Sequence, residues 1–206
     1  SQGRLHPIEM HYQPRTASQP LALAIKEAVQ SAIIRTDGDV LAFLPGLAEI
    51  RAASRALRDW STREQVDVVE LYGDLPLERQ DQALLGGPRR KVVLSTNVAE
   101  TSVTVEGITA VVDSGLARQL VYDPRVGLDR LVLGPISKSS AEQRAGRAGR
   151  EGPGKCYQLY PAHSYQELPD YNTPEILRSE LTGPILQLKA IGVPSILHLE
   201  FMDQPP

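Results

Sequence analysis

Short apolar runs recur along this chain with helix-spaced segments between them, and that alternation restricts the fold more than any other feature of the sequence. The strand-like runs are IEMHY (8–12), VLAFL (40–44), VDVVELY (66–72), KVVLST (91–96) and ITAVVDSG (108–115). Between them lie ALAIKEAVQSAII (22–34), LAEIRAASRALRDW (47–60) and PLERQDQALL (76–85), whose apolar residues repeat at helical spacing. Pro76 suits the first position of its helix, where no backbone donor is lost. Runs such as VLAFL and KVVL carry no polar face, so they fit strands covered on both sides. The pattern predicts an α/β fold with a parallel sheet and helices on both faces.

Two stretches depart from it. LARQLVYDPRVGLDRLVL (116–133) reads as two strands around Asp123, Pro124 and Gly127, which predicts an inserted β-hairpin. KCYQLY (155–160) is strand-like, and PEILRSELTGPILQLKAI (174–191) is helical with an interruption at Gly183 and Pro184. The expected division is a sheet domain over 1–170, with the hairpin at 116–133, and a helical extension over 171–206 that ends in a linker-like MDQPP.

Composition removes several function classes. The chain has 206 residues, 41% of them hydrophobic, enough to bury a core. No run approaches the ~18–20 apolar residues of a membrane span, and SQGRLHPIEM has no apolar signal core, so a cytoplasmic location is expected, or a nuclear one in a eukaryote. Cys156 is the single cysteine, which excludes an internal disulfide, and His6, His11, His163 and His198 lack ligand spacing, so no metal site is expected in the chain. Net charge is only −3, but it is unevenly spread: residues 87–155 hold 11 Lys and Arg against 7 Asp and Glu, between two acidic flanks. A basic centre can face the phosphates of a nucleotide or of RNA, or it can be a solvated surface.

Gly149, Gly154 and Lys155 fit the opening of a phosphate-binding G-x-x-x-x-G-K loop. The context is wrong for one. An Arg-rich helical pattern precedes it, Pro153 removes a donor, Cys156 stands where Ser or Thr would hold Mg²⁺, and a strand pattern follows.

SAEQRAGRAGR (140–150) says more. Arg144, Arg147 and Arg150 recur every third residue, a spacing that shares one face while a helix lasts. Ala145, Gly146, Ala148 and Gly149 keep the intervening surface small. Guanidinium groups are planar, permanently charged and multidentate, which suits phosphoryl oxygens. The alternative is a surface helix whose arginines pair with carboxylates, and only Glu142 and Glu151 are near in sequence.

QRAGRAGR resembles motif VI of the DEAH/RHA group of superfamily 2 RNA helicases, and STNVAETSVTVEGI (95–108) resembles motif V of the same group. VLAFLPGLAEI is similar to motif IV and ELYGDLP to the block that follows it. LPGLAEI and the Glu of TVEGI resemble the HrpB-like subgroup, whereas PEILRSEL and FMDQPP resemble HrpA-like and splicing-type relatives. The resemblance implies the second RecA-like lobe of an ATP-dependent RNA helicase, with ATP and Mg²⁺ held mainly by a first lobe outside this chain. It implies that Gln143, Arg147 and Arg150 are catalytic, the two arginines as fingers toward the γ-phosphate, and that Arg144 supports the helix within the nucleotide site. Ser102 is implied as a sensor of nucleotide state, and Glu106, where most relatives have Asp, as a ribose contact. Leu84 stands where many relatives stack an aromatic on adenine. Pro45, Gly46, Thr96, Asn97, Thr104 and Lys138 are implied contacts to the backbone of single-stranded RNA. The hairpin corresponds to one inserted near the duplex junction.

The implied partners are RNA, the first RecA lobe and the C-terminal domains of the same protein, with no membrane. On its own the chain is expected to be inactive. Two other readings stand beside this one: a non-catalytic RecA-like module that binds nucleic acid or protein, and a DNA translocase lobe.

Overall fold

Every residue of the strand Asp39–Phe43 is buried, and its side chains alternate between two separate cores. Val40 and Ala42 join one apolar cluster, Leu41 and Phe43 the other. Only a strand in the middle of a sheet with helices on both faces has this burial, because successive side chains leave on opposite sides. The computed structural model describes residues 6–101, 103–193 and 199–204.

In chain order the elements are β1 (Ile8–Tyr12), α1 (Leu21–Arg35), β2 (Asp39–Phe43), α2 (Leu47–Glu64), β3 (Asp67–Leu71), α3 (Leu77–Leu84), β4 (Lys91–Ser95), α4 (Val98–Thr101), β5 (Ile108–Asp113), β6 (Leu116–Asp123), β7 (Leu128–Pro135), α5 (Lys138–Gly146), β8 (Gly154–Gln158), α6 (Ala162–Glu167), a 3-10 turn (Glu175–Leu177) and α7 (Thr182–Ala190). Six strands form one all-parallel sheet in the order β1-β8-β5-β2-β4-β3. Helices α1 and α2 cover one face through Ile25, Val29, Ile50, Leu57 and Trp60. Ala83 of α3, Ala99 of α4 and Ala145 of α5 belong to the cluster on the other. This is the α/β architecture, a parallel sheet with helices on both faces, that the alternation predicts, and it fits the RecA-like fold that the resemblance implies. No helix among the described residues is long and apolar enough to cross a membrane.

Two compact units emerge. The first comprises 1–117 and 135–171 and holds the sheet; the second comprises 118–134 and 172–206. The hairpin therefore goes with the C-terminal segment, a different division from the one expected at 170. The Glu180 amide donates to the Asp129 carboxylate at 3.1 Å, and Arg178 ties the two segments further. Its guanidinium donates to the carbonyls of Leu120 at 2.6 Å and Thr173 at 3.1 Å, and its own carbonyl accepts the amide of Tyr122 at 2.6 Å. The C-terminal helix is also interrupted elsewhere than expected: the break falls between the 3-10 turn and Thr182, and Gly183 and Pro184 lie in the first turn of α7. Proline is tolerated there because first-turn amides have no intrahelical acceptor. The short helices α4 and α6 carry too few periodic residues to stand out in the sequence.

Gly154 and Lys155 open the strand β8, where a phosphate loop would open a helix, so the G-x-x-x-x-G-K run is not a phosphate loop. The glycines are there for packing. A Cβ on Gly154 would overlap the carbonyl of Ala148, and one on Gly149 would stand 2.8 Å from the carbonyl of His6.

Candidate functional site

Helix α5 begins on Ser137, whose hydroxyl accepts the amide of Ser140 at 3.1 Å, and it ends at Gly146. The three arginines therefore do not share a helical face. Arg144 is in the last turn, Arg147 caps the helix, and Arg150 lies beyond it in the turn leading to β8.

Their environments differ sharply. Arg144 is 0% exposed. It donates from Nε to Glu100 at 2.7 Å and from Nη1 to Asp113 at 2.7 Å and the carbonyl of Leu116 at 3.2 Å, and its guanidinium lies 4.9 Å over the Phe43 ring. The two acids hold its pKa above the ordinary arginine value against the opposing effect of burial. Such a group has no surface to offer a nucleotide; it fastens α5 to α4 and to the end of β5. Arg147 is 4% exposed and donates to the carbonyl of Glu100, at 2.8 Å from Nε, and to that of Val103 at 2.6 Å. Burial, followed by the neighbouring charge of Arg150, lowers its pKa to about 10. Arg150 is exposed and donates to the Thr104 hydroxyl at 3.0 Å.

Gln143 is exposed, and with Glu142, Gly146, Arg147 and Arg150 it borders an open cleft of about 520 Å³ between α4 and α5. Of the small residues in the motif, Gly146 alone faces that cleft, where an added Cβ would meet nothing. Ala145 and Ala148 are core residues. The acids that neutralise Arg144 come from positions 100 and 113, not from Glu142 or Glu151. Sequence reasoning missed both. One signal was available for Asp113: a carboxylate closing the apolar run ITAVV needs a buried cation. That carboxylate also accepts the Gly115 amide at 2.9 Å and the Tyr160 hydroxyl at 3.2 Å. Gly115 sits at φ +72, and a Cβ there would overlap the Tyr160 ring. Burial and then Asp113 raise the pKa of Tyr160, so its hydroxyl stays a donor.

Because all six strands are parallel, their ends define two edges. Pro45, Gly46, Thr96 and Asn97 follow β2 and β4, at the edge where strands finish. Asn97 is exposed and Thr96 half-buried, but Pro45 and Gly46 are buried and offer little surface. Lys138, at the start of α5, pairs with Asp170 at 2.8 Å. Leu84, Thr104 and Glu106 precede β4 and β5, at the edge where strands start, as Arg147 and Arg150 do before β8. Thr104 is thereby separated from the other residues grouped with it as RNA contacts and stands with Arg150. Leu84 is half-buried against the core, and its carbonyl accepts the Glu106 amide at 3.0 Å. The Glu106 carboxylate accepts the Gly86 amide at 3.1 Å. Ser102 lies outside the described residues. Among those described, no group of three or more His, Cys, Asp and Glu side chains is placed to hold a metal ion.

Residues 24–152 match the family model described as the helicase conserved C-terminal domain. Among solved structures, the chain is similar to the DExH-box NTPase HrpB of E. coli, at 39% identity and a TM-score of 0.87, over 99% of this chain and 25% of that one. A second structure, of the Escherichia coli DEAH/RHA helicase HrpB, superposes at a TM-score of 0.91 with 39% identity, over 99% of this chain and 26% of that one. The chain thus spans about a quarter of the length of these relatives.

Proposed function

Since this chain belongs to the helicase conserved C-terminal domain family, we propose that it is the second RecA-like lobe of an ATP-dependent RNA helicase and completes an ATP site whose phosphate loop is on another lobe. The observation that carries this reading is the cleft beside α5, where Gln143 and Arg150 are exposed at the rim and Arg147 is held just behind them. A triphosphate presented there would take two guanidinium groups and an amide. Arg150 meets it directly. Arg147 joins on closure of the lobes by exchanging the carbonyls of Glu100 and Val103 for phosphate oxygens. ATP, with Mg²⁺, would supply the γ-phosphoryl group, which passes to water as the bond to ADP breaks, and this chain would supply charge to stabilise that transfer. Glu106 and Leu84, at the same edge, are the ribose and base contacts of this scheme.

The opposite edge, with Thr96 and Asn97, takes the backbone of single-stranded RNA, joined by Lys138 once it exchanges Asp170 for a phosphate; side-chain donors suffice there and no base readout is needed. Alternate closing and opening of the lobes moves the strand. Alone, the chain turns over no ATP.

The test is RNA-stimulated ATP hydrolysis by the full-length protein. Arg150→Ala is expected to reduce kcat by about 10³-fold or more with folding unchanged, since arginine fingers contribute roughly 10³–10⁵. Arg147→Ala should lose a similar factor and also leave the carbonyls of Glu100 and Val103 without its guanidinium. Wild-type turnover in Arg150→Ala refutes the finger role, and stimulation by DNA but not RNA refutes the substrate.

A further inference from the structure

Lys91 is charged and buried, and it has no part in the scheme above. It opens β4 and is 3% exposed. Its ammonium donates to the carbonyl of Ala83 at 2.9 Å and to that of Leu85. The carbonyl between them, that of Leu84, accepts the Glu106 amide at 3.0 Å. Three successive carbonyls at the end of α3 are thus taken, and Leu84 is held on both sides. Carbonyls at a helix end have no partner within the helix and are commonly satisfied by water or by an exposed side chain.

A second set of bonds starts from the same lysine. Its amide donates to Asp39 Oδ1 at 2.9 Å, and Asp39 Oδ2 lies 4.0 Å from the ammonium. The Asp39 amide donates to the Gly107 carbonyl at 2.8 Å. Gly107 sits at φ +73, and a Cβ there would stand 3.4 Å from Asp39 Oδ2. Residue 106 is therefore fixed through its own amide to Leu84 and through its neighbour to Asp39. The exposed Glu106 side chain accepts the Gly86 amide with Oε2, and its Oε1 has no hydrogen-bond partner among the described residues.

Burial works against this pair. It lowers the pKa of Lys91 and raises that of Asp39. Apolar residues can often replace a buried ion pair without loss of stability, so closing a helix end does not by itself call for one. What the pair supplies is geometry. The hydrogen bonds from the ammonium and from the Asp39 amide end on residues 83, 85 and 107, which flank Leu84 and Glu106.

We propose that Lys91, braced by Asp39, is a positioning residue for the nucleotide, setting Leu84 and Glu106 at the spacing that takes the base and the ribose hydroxyls. The inference rests on the reading of those two residues as nucleotide contacts. Contacts to base and ribose are the same before and during phosphoryl transfer, so their loss raises KM and spares kcat.

The test uses the full-length protein at saturating RNA and compares ATP with 2′-deoxy-ATP. The wild type is expected to have the higher KM for the deoxynucleotide. Lys91→Met keeps the length of the side chain and removes its donors. It is expected to raise KM for ATP about tenfold, the scale of one lost hydrogen bond to a charged group, and to change kcat less than about twofold. It should also bring the two KM values together. A purely structural role would lower the folded fraction, and with it kcat, and leave the ratio of the two KM values at the wild-type figure. Should Lys91→Met fail to fold, as judged by reagent access to the buried Cys156, Asp39→Asn takes its place. That change keeps an acceptor for the Lys91 amide, removes the charge beside the ammonium and should narrow the ratio in the same direction. Glu106→Ala separates the proposal from its premise. If it narrows the ratio while the folded Lys91 or Asp39 variant keeps the wild-type KM and ratio, the positioning role is overturned and the nucleotide contact stands. If Glu106→Ala itself keeps the wild-type KM and ratio, the ribose contact falls and the proposal falls with it.

Discussion

Arg144 and Arg150 carry the same side chain in the same motif and have opposite employment. The first is sealed between Glu100 and Asp113; the second meets solvent and one hydroxyl. Arg144→Ala would strand two carboxylates, one of them fully buried, and removing one partner of a buried pair costs about 3–5 kcal/mol. Urea denaturation should register a loss of that size, and a loss below about 1 kcal/mol would contradict the packing described. The motif itself was legible from residue type, because repeated arginines among small residues suit a polyanion. Their inward and outward directions were not. Spacing by three promises a common face only while the helix continues, and it stops at Gly146. The acids that decide the matter lie 44 and 31 positions away in sequence, beyond the reach of local pattern.

Among the elements, the parallel strands were the most legible, because a strand buried on both faces writes an unbroken apolar run. The hairpin was also plain from its turn, where Gly127 sits at φ +67. Its membership was hidden, since one arginine near the C-terminus ties it to another segment. Arg178→Ala removes the donors to Leu120 and Thr173. The Tyr122 amide is then expected to exchange faster, while amides of β2 and β5 keep their rates; unchanged exchange at Tyr122 would show that the tie is incidental. At the other end of α5, β8 begins against the turn of Ala148. Gly154→Ala forces backbone apart and should cost about 1–3 kcal/mol by urea denaturation. A neutral result would mean that the turn relaxes freely.

For the whole molecule, one thiol reports on integrity. Cys156 is fully buried in β8, and desolvation raises its pKa well above the ordinary thiol value. The reactive thiolate is therefore scarce at neutral pH, and no reagent reaches it without opening of the sheet. A thiol-specific reagent should leave it unmodified in the native protein at pH 8 and label it fully in urea, as followed by mass spectrometry. Fast native labelling would mean that the sheet opens locally at β8. The fold class was readable at this scale for the same reason that the core resists reagents: both faces of the sheet must be covered, so alternating strand and helix patterns admit few arrangements.

Glu100 binds two arginines in different ways. Its carboxylate takes Arg144, and its peptide oxygen takes Arg147. Every amino acid brings the same peptide oxygen, so no codon change at position 100 can delete the second tether, whereas almost any change deletes the first. Heritable variation at this one site can therefore reach the interior clamp and must leave the backbone acceptor of Arg147 in place.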